Sequence, residues 1–78
     1  TMTLNDLKCG ESAVITELRM SLSDAEYLAT LGFIPGDTVV AVRCISRMGP
    51  RIYNIQGTDL AIGADTAAQI VVKPRAMC

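Results

Sequence analysis

The ten residues Leu31-Gly32-Phe33-Ile34-Pro35-Gly36-Asp37-Thr38-Val39-Val40 hold a helix stop, a turn and the start of a strand, and they set the architecture on both sides. Leu31 ends an apolar stripe of helical spacing. Gly32 can take the left-handed conformation that terminates a helix, and Pro35-Gly36 suits the central pair of a type II turn. The helix must therefore precede Gly32, and the chain that follows is rich in β-branched residues. With 78 residues there is room for one domain, since a divided chain of this size would bury too little apolar surface to offset the entropy of ordering. We read a single domain over residues 1–78, with Thr1 ahead of Met2 as a cloning remnant and residues 75–78 as a frayed end.

Around that switch the remaining elements fall into place. Leu4 and Leu7, three apart around Asn5-Asp6, predict one helical turn that Gly10 breaks, and residues 12–19 predict a first strand. Ser23 and Glu26 spell a capping box, with Leu22 ahead of the cap placed to staple against Tyr27. The helix so started carries Ala25, Leu28, Ala29 and Leu31 on one stripe and leaves Tyr27 and Thr30 off it. Strands are predicted over 38–46, 51–56, 60–62 and 69–74, separated by Gly49-Pro50, by a turn at residues 57–59 and by a turn at residues 63–68. The expected fold is mainly β: a small, five-stranded, partly open barrel with one short helix inserted after the first strand.

Composition narrows the chemistry such a barrel can perform. Histidine is absent, which removes the commonest general base and the commonest transition-metal ligand together. No serine has a histidine to activate it, and the six glycines sit at separate turns with no phosphate-cradling loop. Neither an enzyme, a cofactor nor a metal site is expected. Cys9, Cys44 and Cys78 are odd in number and lack Cys-x-x-Cys spacing, so no disulfide framework or zinc site can be read from them and a reducing, cytoplasmic setting is the simpler one. Cys44 is expected as a small buried hydrophobe and Cys78 as an exposed thiol. No apolar run approaches the roughly 18 to 20 residues of a membrane span.

The net charge of −1 gives no overall field for a nucleic acid or an anionic membrane. The charge is uneven, however. Residues 1–37 carry six acidic groups against Lys8 and Arg19, a balance of −4, and residues 38–78 carry five basic groups against Asp59 and Asp65, a balance of +3. Arg43, Arg47, Arg51, Lys73 and Arg75 keep a nucleic-acid-binding small barrel open as an alternative. Three scattered aromatic residues supply neither base-stacking platforms nor a groove for proline-rich peptides, so nucleic acid is not the expected partner.

The joined pattern of apolar and glycine positions resembles the FeoA family of ferrous iron transport proteins. It runs through Leu4-x-x-Leu7-x-x-Gly10-Glu11-x-Ala13-x-Ile15, then Leu28-x-x-Leu31-Gly32-Phe33-x-Pro35-Gly36-x-x-Val39. It continues in Gly49-Pro50, Gly57, Leu60-Ala61-Ile62 and Ala67-x-x-Ile70-x-Val72. The resemblance implies an SH3-like barrel acting as a cytosolic accessory of the FeoB membrane iron transporter, whose cytosolic region it would dock on to regulate or assemble it. It implies no membrane insertion and leaves room for weak homo-oligomerisation. A similar barrel also ends metal-dependent repressors of the diphtheria toxin repressor type, which makes a detached domain of that kind a second alternative, though this chain lacks their DNA-binding helices and metal ligands.

Candidate partner-binding residues are those whose character the barrel does not explain. Met20 and Leu22 precede the predicted helix, Tyr27 lies off its stripe, and Arg47, Met48 and Arg51 crowd the predicted hairpin tip. Flexible methionines, a half-exposed tyrosine and arginines suit adaptable protein contacts.

Overall fold

The computed structural model describes residues 2–43 and 50–75. Among them six strands form one antiparallel sheet: β1 (Met2–Thr3), β2 (Ser12–Leu18), β3 (Thr38–Arg43), β4 (Arg51–Ile55), β5 (Thr58–Ile62) and β6 (Ile70–Pro74), in the order β1-β6-β2-β3-β4-β5. A 3-10 turn at Leu4–Asp6 follows β1, helix α1 (Leu22–Thr30) lies between β2 and β3, and the one-turn helix α2 (Ala64–Ala67) links β5 to β6. The mainly β class and the helix before Gly32 follow the expectation, but the strand count does not. Met2 and Thr3 pair with Val72 and Val71, so α1 follows the second strand. Two residues are too few to show an alternation, and only the waiting edge of β6 makes them a strand.

The sheet stays open, with β1 and β5 at its ends, yet it wraps one core. Ala13 and Ile15 of β2, Val39 and Ala41 of β3, Tyr53 and Ile55 of β4, Ile62 of β5 and Ile70 and Val72 of β6 share a cluster with Leu4, Leu7, Leu28 and Phe33. The open ends are bridged by the 3-10 turn rather than by ladder hydrogen bonds. Tyr53 Oη donates to Leu4 O at 3.1 Å, Arg51 donates to Asn5 O at 3.0 Å and to Leu7 O at 2.6 Å, and Asn5 Nδ2 donates to Ala64 O at 2.9 Å. Among the described residues, every buried side-chain nitrogen or oxygen has a partner, as the cost of desolvating an unpaired polar group requires.

Helix α1 starts two residues earlier than the capping box predicted. Its N-cap is Ser21, whose Oγ accepts from Asp24 N at 3.3 Å. Ser23 is therefore inside the helix and Leu22 is its first residue. Leu22 (76 % exposed) and Tyr27 (65 % exposed) do not staple the helix start to the core. The position before the cap belongs to Met20, which packs against the core cluster. The helix end follows the sequence closely. Gly32 has φ +104°, Phe33 N donates to Leu28 O and Gly32 N to Ala29 O, both at 3.0 Å, which together make a Schellman stop. Asp37 N then donates to Ile34 O at 3.0 Å with Gly36 at φ +101°, the expected type II turn.

Three more departures are local. The β4–β5 turn is Gln56-Gly57, at φ +51° and +80°, so β5 begins at Thr58 rather than Leu60. This is the two-residue geometry of a type I′ turn. Its first position is hidden from a sequence reading because glutamine seldom adopts positive φ. Here Gln56 Nε2 is held by Asp37 Oδ2 at 2.8 Å. Residues 64–67 form the helical turn α2 where only a turn was expected, capped by no side chain. Cys9 is disulfide-bonded, although the cysteine spacing carries no sign of a bridge. The expectations for Cys44 and Cys78 lie outside the described residues. At the C-terminal end, Arg75 N still donates to Ser12 O at 3.4 Å.

Candidate docking surface

Helix α1 buries one residue, Leu28, and is flanked by two concave regions. On one side, a cavity of about 350 Å³ lies between α1 and the β5–α2 corner, lined by Met20, Asp24, Tyr27, Leu31, Ala61 and Thr66 among others. On the other, a shallower cavity of about 410 Å³ runs between α1 and the end of β2, with Thr16, Glu17, Ala29, Phe33 and Pro35 in its wall. The short helix produces both. Its stripe of Ala25, Leu28, Ala29 and Leu31 alternates small with large side chains, so the helix rests on the barrel through Leu28 while the alanines leave space beside it.

The site residues predicted from sequence separate into three groups. Met20 and Tyr27 meet at the 350 Å³ cavity, Met20 half-buried and Tyr27 at its rim. Leu22 sits on the same helix and projects into solvent. Arg51 opens β4 rather than capping a hairpin tip. Its guanidinium is turned to the N-terminal turn through the bonds to Asn5 O and Leu7 O and lies 5.9 Å from the centre of the Tyr53 ring, a cation–π distance. Arg47 and Met48 lie outside the described residues. Asp24, Ala61 and Thr66 of the cavity wall escaped the sequence reading. Asp24 was legible only as an N-terminal helix charge, and nothing local marks Ala61 or Thr66.

The electrostatics around α1 are of one sign. Among the described residues, Asp24 is the sole charged one lining the first cavity, and Glu17 and Glu26 are those lining the second. Among the described residues, no Lys or Arg lies in the wall of either cavity. Arg19 is nearby, but its Nε is bound to Glu17 Oε2 at 3.2 Å between exposed side chains, a pair of modest strength. Among the described residues, no three of His, Cys, Asp and Glu gather as a metal site, and no helix is long and apolar enough to cross a membrane.

A family model described as the FeoA domain matches residues 2–74 of the chain. No curated protein matches it. Solved structures do. The solution structure of the FeoA protein from Chlorobium tepidum is 27% identical with a TM-score of 0.86, the alignment covering 96% of this chain and 71% of that one. The zinc-complexed FeoA of Stenotrophomonas maltophilia, a prokaryotic SH3 domain protein, is 28% identical with a TM-score of 0.76, over 94% of this chain and 91% of that one. T. acidophilum IdeR matches 92% of this chain with 33% of its own length, at 22% identity and a TM-score of 0.79, a likeness of fold alone. The six-stranded open sheet is thus SH3-like, with α1 and its two flanking cavities as the surface that its core leaves unused.

Proposed function

The chain belongs to the FeoA family, and from that premise we propose that it is a non-enzymatic, cytoplasmic accessory protein of ferrous iron uptake that docks on the cytosolic region of an FeoB-type transporter and regulates or assembles it. The observation that carries this reading is the extent of the family match, residues 2–74 of 78, which spans the whole sheet. The Stenotrophomonas maltophilia relative is put forward as a ferrous iron transport activating factor, in keeping with an accessory role. A chain without histidine, with few aromatic residues and with its acidic groups dispersed has the chemistry of a binding module rather than of a catalyst. The docking residues within this reading are Met20, Leu22 and Tyr27 around α1, with Arg47, Met48 and Arg51 as a second group.

The test is a titration of the purified domain against the transporter's cytosolic region and, separately, against single-stranded DNA, each at low and at physiological salt. The reading expects transporter binding that survives physiological salt and no comparable binding to DNA. Binding to DNA that weakens steeply with salt, without transporter binding, would replace it with the nucleic-acid alternative.

A further inference from the structure

We infer that the β5 edge and the cavity beneath α1 form a receptor for an extended peptide segment of a partner protein, one that carries an aliphatic side chain flanked by Lys or Arg. The inference stands apart from the transporter reading, because it specifies the ligand's chemistry whichever protein supplies it.

The first observation is a set of backbone groups facing outward. Ile55 and Thr58 close the two-residue β4–β5 turn, so the alternation of the antiparallel ladder binds Thr58, Leu60 and Ile62 to Ile55, Tyr53 and Arg51 of β4, respectively, and turns the N–H and C=O of Asp59 and Ala61 away from it. Among the described residues β5 pairs with β4 alone. Gly63 continues the strand in extended conformation, its C=O taken by Ala67 N at 2.9 Å, and the same alternation puts its N–H on the outward side. Such an edge selects an extended backbone, because only a strand can meet donors and acceptors at this spacing.

The second observation is the position of that edge. Ala61, Ile62 and Gly63 form one wall of the 350 Å³ cavity whose other wall is Met20, Tyr27 and Leu28. A strand laid on Ala61 therefore sends alternate side chains towards α1, where a half-buried methionine can adapt to an aliphatic group. The third observation is charge. Asp24 lines the cavity, Asp59 and Asp65 stand near the two ends of the open edge, and among the described residues no basic one lines the cavity. Asp59 is bonded to Asn54 Nδ2 at 2.8 Å and so stays beside the edge. Together these features ask for cationic residues on either side of the aliphatic anchor.

The probe is an acetylated peptide of alternating arginine and valine with one central leucine. A control peptide of identical sequence is N-methylated at the backbone groups that would pair. We expect the first peptide to shift the Ala61 and Gly63 amide resonances and slow their hydrogen exchange, and the N-methylated peptide to leave both unchanged. Ala61→Pro removes an outward N–H at a position where an edge strand tolerates proline and is expected to abolish binding. Asp24→Lys is expected to weaken binding about tenfold or more at low salt and covers the case in which Ala61→Pro fails to fold. No binding by the wild-type protein, or equal binding of the N-methylated peptide, overturns the inference. Dimerisation without peptide that Ala61→Pro abolishes also overturns it, by assigning the edge to a second copy of this chain.

Discussion

The two ends of the barrel solve opposite problems. At the N-terminal turn, four side-chain hydrogen bonds and the buried Leu4, Leu7 and Tyr53 close the gap between the sheet's two edges. At α1, a nine-residue helix covers the core through Leu28 alone and leaves Leu22 and Tyr27 in solvent with a cavity on either flank. The first region has residues that stability explains completely. The second keeps apolar surface that stability does not use, and a small protein that recognises a partner needs such surface to be spared from the core.

That contrast is broken most directly at the closed end. Leu4 is fully buried, and Leu4→Ala is expected to cost about 2–5 kcal/mol of unfolding free energy, read as a fall in the denaturant midpoint. A loss no larger than that of a surface substitution would mean that the N-terminal turn only decorates the barrel.

A smaller effect tests the hydrogen bond behind Leu4. Tyr53→Phe keeps the ring and removes the donor to Leu4 O, at an expected cost of about 1–3 kcal/mol. It also changes the pH dependence. Burial pushes the Tyr53 phenol above its ordinary value, against the lowering pull of the Arg51 guanidinium. The unfolded chain therefore gives up this proton first. Above about pH 10 it binds fewer protons than the folded chain, and stability falls as pH rises further. Denaturation midpoints measured on both sides of that pH are expected to show this slope reduced in Tyr53→Phe. An equal slope in both proteins would put the ring in contact with water.

How far each region could be read in advance follows from the range of its determinants. Gly32 and Pro35-Gly36 were legible because a positive φ and a fixed φ are properties of single residues. The paired strands β3 and β4 were legible through apolar spacing, with Tyr53 and Ile55 on the inner face. The N-terminal clasp was not, because Arg51 reaches residues more than forty positions away and no local pattern says that an arginine will bind carbonyl oxygens of its own chain. For the same reason Met20 and Tyr27 could be singled out as unexplained apolar residues, while Ala61, on the facing wall, could not. The cap of α1 was misread for a different reason. Ser21-x-x-Asp24 and Ser23-x-x-Glu26 are competing local signals, and the chain's exit from β2, where Arg19 N is bound to Gln69 O at 2.7 Å, goes with the earlier one.

The cap supplies the next, smaller test. Ser21→Ala is expected to lower stability by about 0.5–2 kcal/mol, whereas Ser23→Ala is expected to stay within about 0.5 kcal/mol of the wild type. The reverse order would restore the later helix start and return Leu22 to the stapling position.

The smallest effect on stability is expected where the effect on binding is greatest. Leu22 and Tyr27 are the two most exposed large hydrophobic residues among the described ones, and neither side chain makes a hydrogen bond with its surroundings. Truncating both removes little buried area, so Leu22→Ala with Tyr27→Ala is expected to change the denaturation midpoint by no more than about 0.5 kcal/mol for each substitution. It is also expected to leave the circular dichroism spectrum intact. Exposed apolar groups that contribute nothing to folding are retained at no benefit unless something else covers them, and a tyrosine at a cavity rim is a frequent centre of binding energy. The same double variant is therefore expected to weaken capture of the transporter's cytosolic region. A variant that folds and binds like the wild type moves the docking surface away from α1, whereas one that loses stability by several kcal/mol shows that this helix, like the N-terminal turn, serves the fold.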